Sequence, residues 1–137
     1  MARDILVRGA TLRDAFSEAA LGVFALAVDP AAVRALDVRE VRAHGPSLEA
    51  LLARWIDECC YVHEIEGFVC HAIDFTVFDV DPKAGGEPMR LHAFLRGEEM
   101  DAVVALDRGA SVKAMPVPEL PIRRLVDGYE IRLTAEG

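Results

Sequence analysis

At Gly67 the spacing of apolar residues in this chain changes from a helical period to simple alternation, and few folds accommodate that change. Before Gly67, two segments place apolar side chains three and four residues apart, as in helices that are buried on one face. After Gly67, the segment FVCHAIDFTVFDVD has a period of two, which is typical of a strand. The chain is therefore predicted to combine early helices with later strands.

The first helical segment has a start signal and an end signal. Thr11 is suited to cap its amino terminus, and the charge of Asp14 in the first turn suits the same end. Asp29-Pro30 ends the helix or forces a turn. One face is predicted to lie in the core, formed by Leu12, Ala15, Phe16, Ala19, Val23, Phe24 and Leu26.

A second helix is predicted to begin at Ser47, directly after Pro46, and to end at Gly67. Glu49 lies in its first turn, where a negative charge is favourable. The apolar stripe of this helix consists of Leu48, Leu51, Leu52, Trp55, Ile56, Cys59 and Val62.

The remaining segments are predicted to form strands, a short helical turn and hairpin loops. In the strand that follows Gly67, Ile73, Phe75 and Val77 should face opposite to Asp74, Thr76 and Phe78. Asp127-Gly128 is a two-residue hairpin signal. The predicted strands cover 4–9, 38–45, 68–81, 90–97, 110–117, 120–125 and 129–135, with a helical turn within 31–37, a hairpin loop at 82–88 and no assignment for 98–108.

Two early helices within a chain of strands predict an α+β fold, with the helices covering one face of a mostly antiparallel β-sheet. A length of 137 residues suits one domain with a sizeable core, so residues 1–137 are predicted to form a single domain.

The formal charge of −8 favours some classes of partner over others. An acidic surface repels phosphate backbones, so direct binding to nucleic acid is not expected, whereas a basic protein or a divalent cation fits better. The sequence contains neither a long apolar run nor a secretory signal, and its three cysteines leave an odd thiol. These features predict a soluble cytoplasmic protein with reduced cysteines and without membrane contact.

The cysteines and histidines between residues 59 and 71 are the first candidates for a chemical site. They could supply a zinc ion with four ligands, but Cys59 belongs to a predicted helix stripe and no Cys-x-x-Cys pair is present. A thiol nucleophile with His63 as its base would lack an orienting group. Both sites are therefore less expected than a structural role for Cys59, Cys60, His63, Cys70 and His71.

Carboxylates are the second class of candidates, because Mg²⁺ and Ca²⁺ prefer several converging oxygen ligands. Scattered acids in an acidic protein are usually solvated, and Lys113 is more consistent with a solvated amine than with a catalytic one. The segment AGGE lacks the Lys-Ser/Thr of a phosphate-binding loop. The carboxylates considered are Asp4, Asp57, Glu58, Asp74, Asp79 and Asp81.

Three segments together resemble the archease family. TLRDAFSEAALGVFALAVDPAAV is similar to the first helix of that family, and SLEALLARWIDECCYVHEIEGFVCHAIDF to its second helix and the strand that follows. ASVKAMPV resembles its Glu-Val-Lys-Ala-x-Thr strand, with Ser111 in place of Glu and Pro116 in place of Thr. With RDILVRG, these segments span nearly the whole chain in the family order, which implies an archease-like fold.

The resemblance implies a small acidic protein that is not an enzyme itself and that acts through a negative surface around Asp4 and the C-terminal strand. Archeases are cofactors of the RtcB-type tRNA-splicing RNA ligase, and they promote its guanylylation and multiple turnover. The alternative is a diverged archease-fold module that binds proteins or acts like a chaperone without activating a ligase. A hydrolase that uses Cys59 or Cys60 is a more distant alternative.

The resemblance also implies a divalent metal, Ca²⁺ or Mg²⁺, held by an aspartate near each end of the chain. Asp4 matches the first aspartate, although the preceding residues differ from the family motif, and Thr134 stands where the second is expected. Glu136 is the nearest substitute carboxylate. A single carboxylate with a hydroxyl offsets less of the cost of dehydrating the ion than two carboxylates do. Metal binding at Asp4 and Thr134 is therefore expected to be weaker than at the two aspartates of the family.

Overall fold

The computed structural model describes residues 2–81, 88–100 and 113–136, in which two helices combine with seven strands. A short 3-10 turn, Pro30–Ala32, follows the first helix. The elements are β1 (Ala2–Gly9), α1 (Leu12–Phe24), β2 (Asp37–Gly45), α2 (Leu48–Glu66), β3 (Phe68–Asp79), β4 (Met89–Glu99), β5 (Lys113–Pro116), β6 (Ile122–Leu125) and β7 (Gly128–Glu136).

Both helices begin at the predicted caps. The side-chain oxygens of Thr11 and Ser47 each accept a hydrogen bond from the backbone N–H three residues later, at 3.1 Å. α2 ends at Gly67, which adopts a left-handed conformation with φ of 65°. α1 ends at Phe24, earlier than the Asp29-Pro30 signal, and Asp29 instead caps the 3-10 turn. Neither described helix has the length and apolarity needed to cross a membrane.

The predicted α+β class is confirmed, but the strands form two antiparallel sheets rather than one. The terminal sheet has the order β1-β7-β5, with β6 also paired to β7, and the central sheet has the order β2-β4-β3. Each helix contacts strands of both sheets. A single sheet was the wrong expectation because apolar alternation identifies strands but does not say which of them pair.

The two helices and both sheets share one cluster of buried apolar residues. Trp55 of α2 is buried, and its indole N–H donates a hydrogen bond of 2.9 Å to the carbonyl oxygen of Phe16 in α1. The Trp55 ring also lies 5.3 Å from the ring of Phe75 in β3, measured between centroids. This tryptophan therefore joins α1, α2 and the central sheet.

The predicted alternation along β3 is wrong beyond Thr76. The pairing of β3 with β4 shifts register between Phe75 and Val77, as it also does near His71. An extra residue at such a bulge exchanges the two faces of a strand. Phe78 consequently faces the core, where its ring centroid lies 5.1 Å from that of Phe16.

The β6–β7 hairpin is confirmed, with its turn displaced by one residue. Leu125 pairs with Gly128, so Val126 and Asp127 form the two-residue loop. Gly128 is the first residue of β7, and a Cβ atom there would clash with the carbonyl oxygen of Gly9. Glycine is therefore required by the close approach of β1.

Three predicted segments lie partly outside the described residues. Of the loop predicted at 82–88, the structure describes only Pro88. Of the unassigned segment 98–108 it describes 98–100, and Glu98 and Glu99 belong to β4. Of the strand predicted at 110–117, residues Lys113–Pro116 form β5, and Ser111 is not among the described residues.

Candidate functional site

The terminal sheet places the two predicted metal ligands side by side. Asp4 in β1 pairs directly with Thr134 in β7, and Thr134 pairs on its other side with Met115 in β5. Directly opposed residues of antiparallel strands point to the same face, with Cβ atoms about 5 Å apart. Residues from the two ends of the chain therefore form one row across the sheet.

This row belongs to the face of the terminal sheet that points away from α1. The alternate residues of β1 and β7, such as Ile5, Val7, Ile131 and Leu133, belong to the core or pack against it. We call the opposite side the outer face. Its described side chains are those of Asp4, Leu6, Arg8, Lys113, Met115, Arg123, Leu125, Glu130, Arg132 and Thr134.

The described side chains around Asp4 offer too few oxygen donors for a hard divalent ion such as Ca²⁺ or Mg²⁺. Asp4 offers one carboxylate and Thr134 one hydroxyl, while the third member of the row, Met115, offers a thioether that suits softer metals. Arg132 and Lys113 in the flanking rows add positive charge. Among residues 2–81, 88–100 and 113–136, no three His, Cys, Asp or Glu side chains are grouped to hold a metal.

The substitute carboxylate, Glu136, occupies the next row of the sheet. Its backbone pairs with Ala2 and with Lys113, but its side chain lies outside what the structure describes. Pro116, one of the two departures from the third family motif, ends β5 opposite Leu133.

Replacing Thr134 with aspartate is expected to create a measurable cation site. The second carboxylate would lie directly opposite Asp4, and its attraction to a bound doubly charged cation is worth at least ~2 kcal/mol near a surface. We therefore expect Ca²⁺ affinity to rise about tenfold or more, measured by isothermal titration calorimetry at low salt.

The control for this change is the double variant Asp4→Asn with Thr134→Asp, which restores a single carboxylate. Its affinity should return to the level of the unaltered protein. Tight Ca²⁺ binding by the unaltered protein would contradict the interpretation that this donor set is deficient.

The cysteines and histidines of the 59–71 segment do not converge on a common site. Burial raises the pKa of the Cys59 thiol well above its ordinary value and the pKa of the Cys70 thiol to about 12. Nδ1 of His63 donates to the carbonyl oxygen of Phe68 at 3.0 Å, and Nδ1 of His71 donates to the carbonyl oxygen of Pro30 at 2.9 Å. The thiols are therefore protonated, and both rings are held by backbone groups.

Cys60 is also buried, and this raises the pKa of its thiol. A buried thiol with a raised pKa is a poor nucleophile. The structural role expected for these residues is consistent with their positions.

The remaining carboxylate candidates are distributed over α2, β3 and the residues directly after β3 without forming a cluster. Asp74 pairs with Arg96 at 2.6 Å, and Glu58 pairs with Arg54 at 2.8 Å. Asp57 and Asp81 are exposed, while Asp79 is partly buried opposite Arg90. Each of these positions is consistent with an ordinary acidic surface.

A shallow groove lies between the start of α1 and β3, with a volume of about 240 Å³. It is lined by Arg13, Asp14, Ser17, Ile73, Asp74 and Phe75. Binding pockets for small ligands are commonly 300–1,000 Å³ and mostly apolar, so this polar groove lacks the features of a substrate site.

A buried carboxylate on the outer face was missed from the sequence. Glu130 of β7 has only 6% of its side chain exposed and lies between Arg8 of β1 and Arg123 of β6. Its Oε2 is 3.3 Å from Nε and 3.2 Å from Nη2 of Arg8, and its Oε1 is 3.5 Å from Nη1 of Arg123. Alternation in β7 predicts only that Glu130 and Arg132 share a face. The contacts of Glu130 with Arg8 and Arg123 could not be predicted, because they depend on the pairing of three strands.

Comparison with known proteins matches residues 4–135 to the Archease protein family (MTH1598/TM1083). The protein archease of Saccharolobus islandicus (strain M.14.25 / Kamchatka #1) is 34% identical over 128 residues, which cover 93% of this chain and 86% of the relative. That of Pyrococcus abyssi (strain GE5 / Orsay) is 32% identical over 127 residues, covering 91% and 85%.

A solved structure has a similar fold. The solution structure of Methanobacterium thermoautotrophicum protein 1598 superimposes with a TM-score of 0.72 and 22% identity. The match covers 99% of this chain and 92% of that one, so the likeness extends over both sheets and both helices.

Proposed function

This chain belongs to the archease family, and on that premise we propose that it is a protein cofactor of an RtcB-type tRNA-splicing RNA ligase. In this role it promotes guanylylation of the ligase by GTP and repeated turnover during tRNA processing. It binds the ligase rather than the RNA, and it acts in the cytoplasm, where its three cysteines stay reduced.

The observation that carries this proposal is the meeting of three positions that the family resemblance singles out on one exposed face. Asp4 comes from the segment RDILVRG, Lys113 from ASVKAMPV and Thr134 from the carboxyl-terminal strand. Residues so distant in sequence share a solvent-facing surface, while the described residues contain no nucleophile paired with a base. Such an arrangement suits contact with another protein better than chemistry on a small substrate.

A cofactor of this kind acts by binding one state of its partner more tightly than another. If the chain binds the guanylylation-competent state of the ligase tenfold more tightly, the balance between the states shifts by about 1.4 kcal/mol. The chain supplies only the contacts of its outer face, so none of its residues needs to take part in a covalent step.

The test measures the rate at which a cognate RtcB-type ligase is guanylylated by labelled GTP, with and without this protein. We expect an increase of about tenfold or more. Asp4→Ala should reduce that stimulation about fivefold, because Asp4 lies in the exposed row where β1, β7 and β5 meet.

The matched control is Asp57→Ala, which removes an exposed carboxylate from α2 and should leave stimulation unchanged. No acceleration by the unaltered protein would refute the proposed function.

The alternative of a diverged binding module is favoured by one observation, the hydroxyl at Thr134 in place of a carboxylate. Under that alternative the chain would still bind the ligase or another protein, but the guanylylation rate would not change. The same assay, run beside a binding measurement, separates the two functions.

A further inference from the structure

The described side chains of the outer face have a net positive charge, opposite to that of the protein as a whole and to the negative surface expected around Asp4. Glu136 shares this face, but its side chain is not among those described. The chain has a formal charge of −8, yet the described side chains of the outer face include four basic groups and only two acidic ones, Asp4 and Glu130. The basic residues are Arg8, Lys113, Arg123 and Arg132. A basic surface on an acidic protein requires an explanation in terms of what it contacts.

Glu130 holds two of these arginines in place. Arg8 and Arg123 remain 69% and 55% exposed although both contact the buried carboxylate. A guanidinium has five N–H donors, so each of the two arginines keeps donors directed to solvent after contacting Glu130. Arginines held in this way lose less side-chain entropy when they bind a carboxylate on another molecule.

The same face exposes two large apolar side chains between the basic ones. Leu6 is opposite Arg132 and is 55% exposed, and Met115 is opposite Thr134 and is 63% exposed. Apolar contacts surrounded by charged groups are the usual composition of a protein interface.

We propose that the outer face docks against an acidic surface of a partner protein, with carboxylates of the partner meeting Arg8, Arg123 and Arg132. Leu6 and Met115 contact an apolar patch at the centre of that surface. This inference rests on the proposed function, in which the partner is the RNA ligase, and it specifies the chemistry of the ligase surface.

Two other occupants fit the face less well. Proteins that bind single-stranded RNA on a sheet use aromatic side chains that stack on the bases, and the described outer face has no aromatic side chain. The net charge of −8 also repels phosphate groups at longer range. A second copy placed face to face would bring together two surfaces with the same excess of basic side chains, because a two-fold interface joins identical surfaces. An acidic partner protein avoids both conflicts.

The charge on this face is tested with Arg132→Glu, because Arg132 is exposed and lies outside the contacts of Glu130. Affinity for the cognate ligase is measured by fluorescence anisotropy at about 0.05 M and 0.3 M salt. We expect the unaltered protein to bind more weakly at higher salt, and Arg132→Glu to bind about tenfold more weakly at low salt with a smaller salt dependence.

The matched control is Arg124→Glu on the neighbouring position of β6. Arg124 is also exposed, but it pairs with Tyr129 and therefore points to the opposite side of the sheet from Arg123. This variant makes the same change in net charge and should retain the affinity of the unaltered protein.

A second variant keeps the proposal testable if the charge reversal disturbs folding. Leu6→Ser removes an apolar contact without changing charge, and we expect it to weaken ligase binding about fivefold or more. Val126→Ser, in the exposed hairpin turn, is its control and should have no effect. Circular dichroism of each variant verifies that the fold is retained.

The outcomes separate this inference from the proposed function. If the unaltered protein neither binds nor stimulates the ligase, both are wrong. If it does both and the folded Arg132→Glu and Leu6→Ser variants do so equally well, only the docking surface is wrong. Self-association, or binding of labelled RNA, that is lost in Arg132→Glu would also overturn the choice of an acidic partner protein.

Discussion

Replacing Trp55 with alanine is expected to lower the free energy of unfolding by about 3–5 kcal/mol, a large part of the stability of a domain of this size. Trp55 is fully buried, and its loss leaves a cavity between the helices and the central sheet. It also removes the hydrogen bond to the carbonyl oxygen of Phe16. Thermal unfolding followed by circular dichroism should show a midpoint lower by roughly 10–20 °C.

Trp55→Phe separates packing from hydrogen bonding at the same position. Phenylalanine keeps most of the apolar contact but has no N–H group, so this variant should lose only about 1–2 kcal/mol. A midpoint for Trp55→Ala within about 3 °C of the unaltered protein would show that Trp55 does not join the two helices.

The helices could be predicted from the sequence because their signals are local. Thr11, Ser47 and Gly67 act on backbone groups within a few residues, and those contacts are the same whatever the rest of the chain does. The apolar stripes then identify which face is buried. Both helices therefore start where the sequence indicates, and α2 also ends there.

The sheets were predicted less completely because their organisation depends on contacts between distant residues. The bulge that turns Phe78 towards the core is a property of the β3–β4 pairing and leaves no mark in the alternation before it. The division into two sheets likewise depends on which strands pair with each other, and apolar alternation is the same in either arrangement.

The candidate site shows the same limit. The family motifs identify Asp4 and Thr134 separately, but only the antiparallel register of β1 and β7 makes them neighbours. Glu130 has no motif, and its burial requires Arg8 and Arg123 from the strands on either side. The basic character of the outer face therefore cannot be deduced from a net charge of −8.

Stability and function are connected through the elements that support the outer face. α1 packs against β1 and β7, which contain Asp4 and Thr134, and α2 packs against β5, which contains Lys113 and Met115. The contact between Trp55 and Phe16 fixes the two helices relative to each other. Mutations in the core should therefore reduce ligase stimulation through loss of folded protein, whereas Arg132→Glu should do so in a folded protein.

Gly97→Ala is expected to destabilise the fold severely although it adds a single methyl group. Gly97 lies in β4, the middle strand of the central sheet, and a Cβ atom there would overlap the carbonyl oxygen of Val69 in β3 and lie 2.9 Å from Cζ of Phe68. Backbone atoms cannot move aside as a side chain can, so β3 would have to separate from β4. We expect a loss of about 3 kcal/mol or more in the free energy of unfolding, measured by urea denaturation.

Gly22→Ala is the matched control, because it adds the same methyl group in the middle of α1. The nearest atom to that Cβ is Cγ2 of Ile5 at 3.2 Å, in a side chain that can adjust, and alanine favours a helix over glycine by about 1 kcal/mol. This variant should unfold within about 1 kcal/mol of the unaltered protein. If Gly97→Ala and Gly22→Ala were equally stable, β3 and β4 would not approach each other closely at Gly97. The bulge between Cys70 and Ala72 would then also be misplaced, because Cys70 pairs with Gly97 at that point.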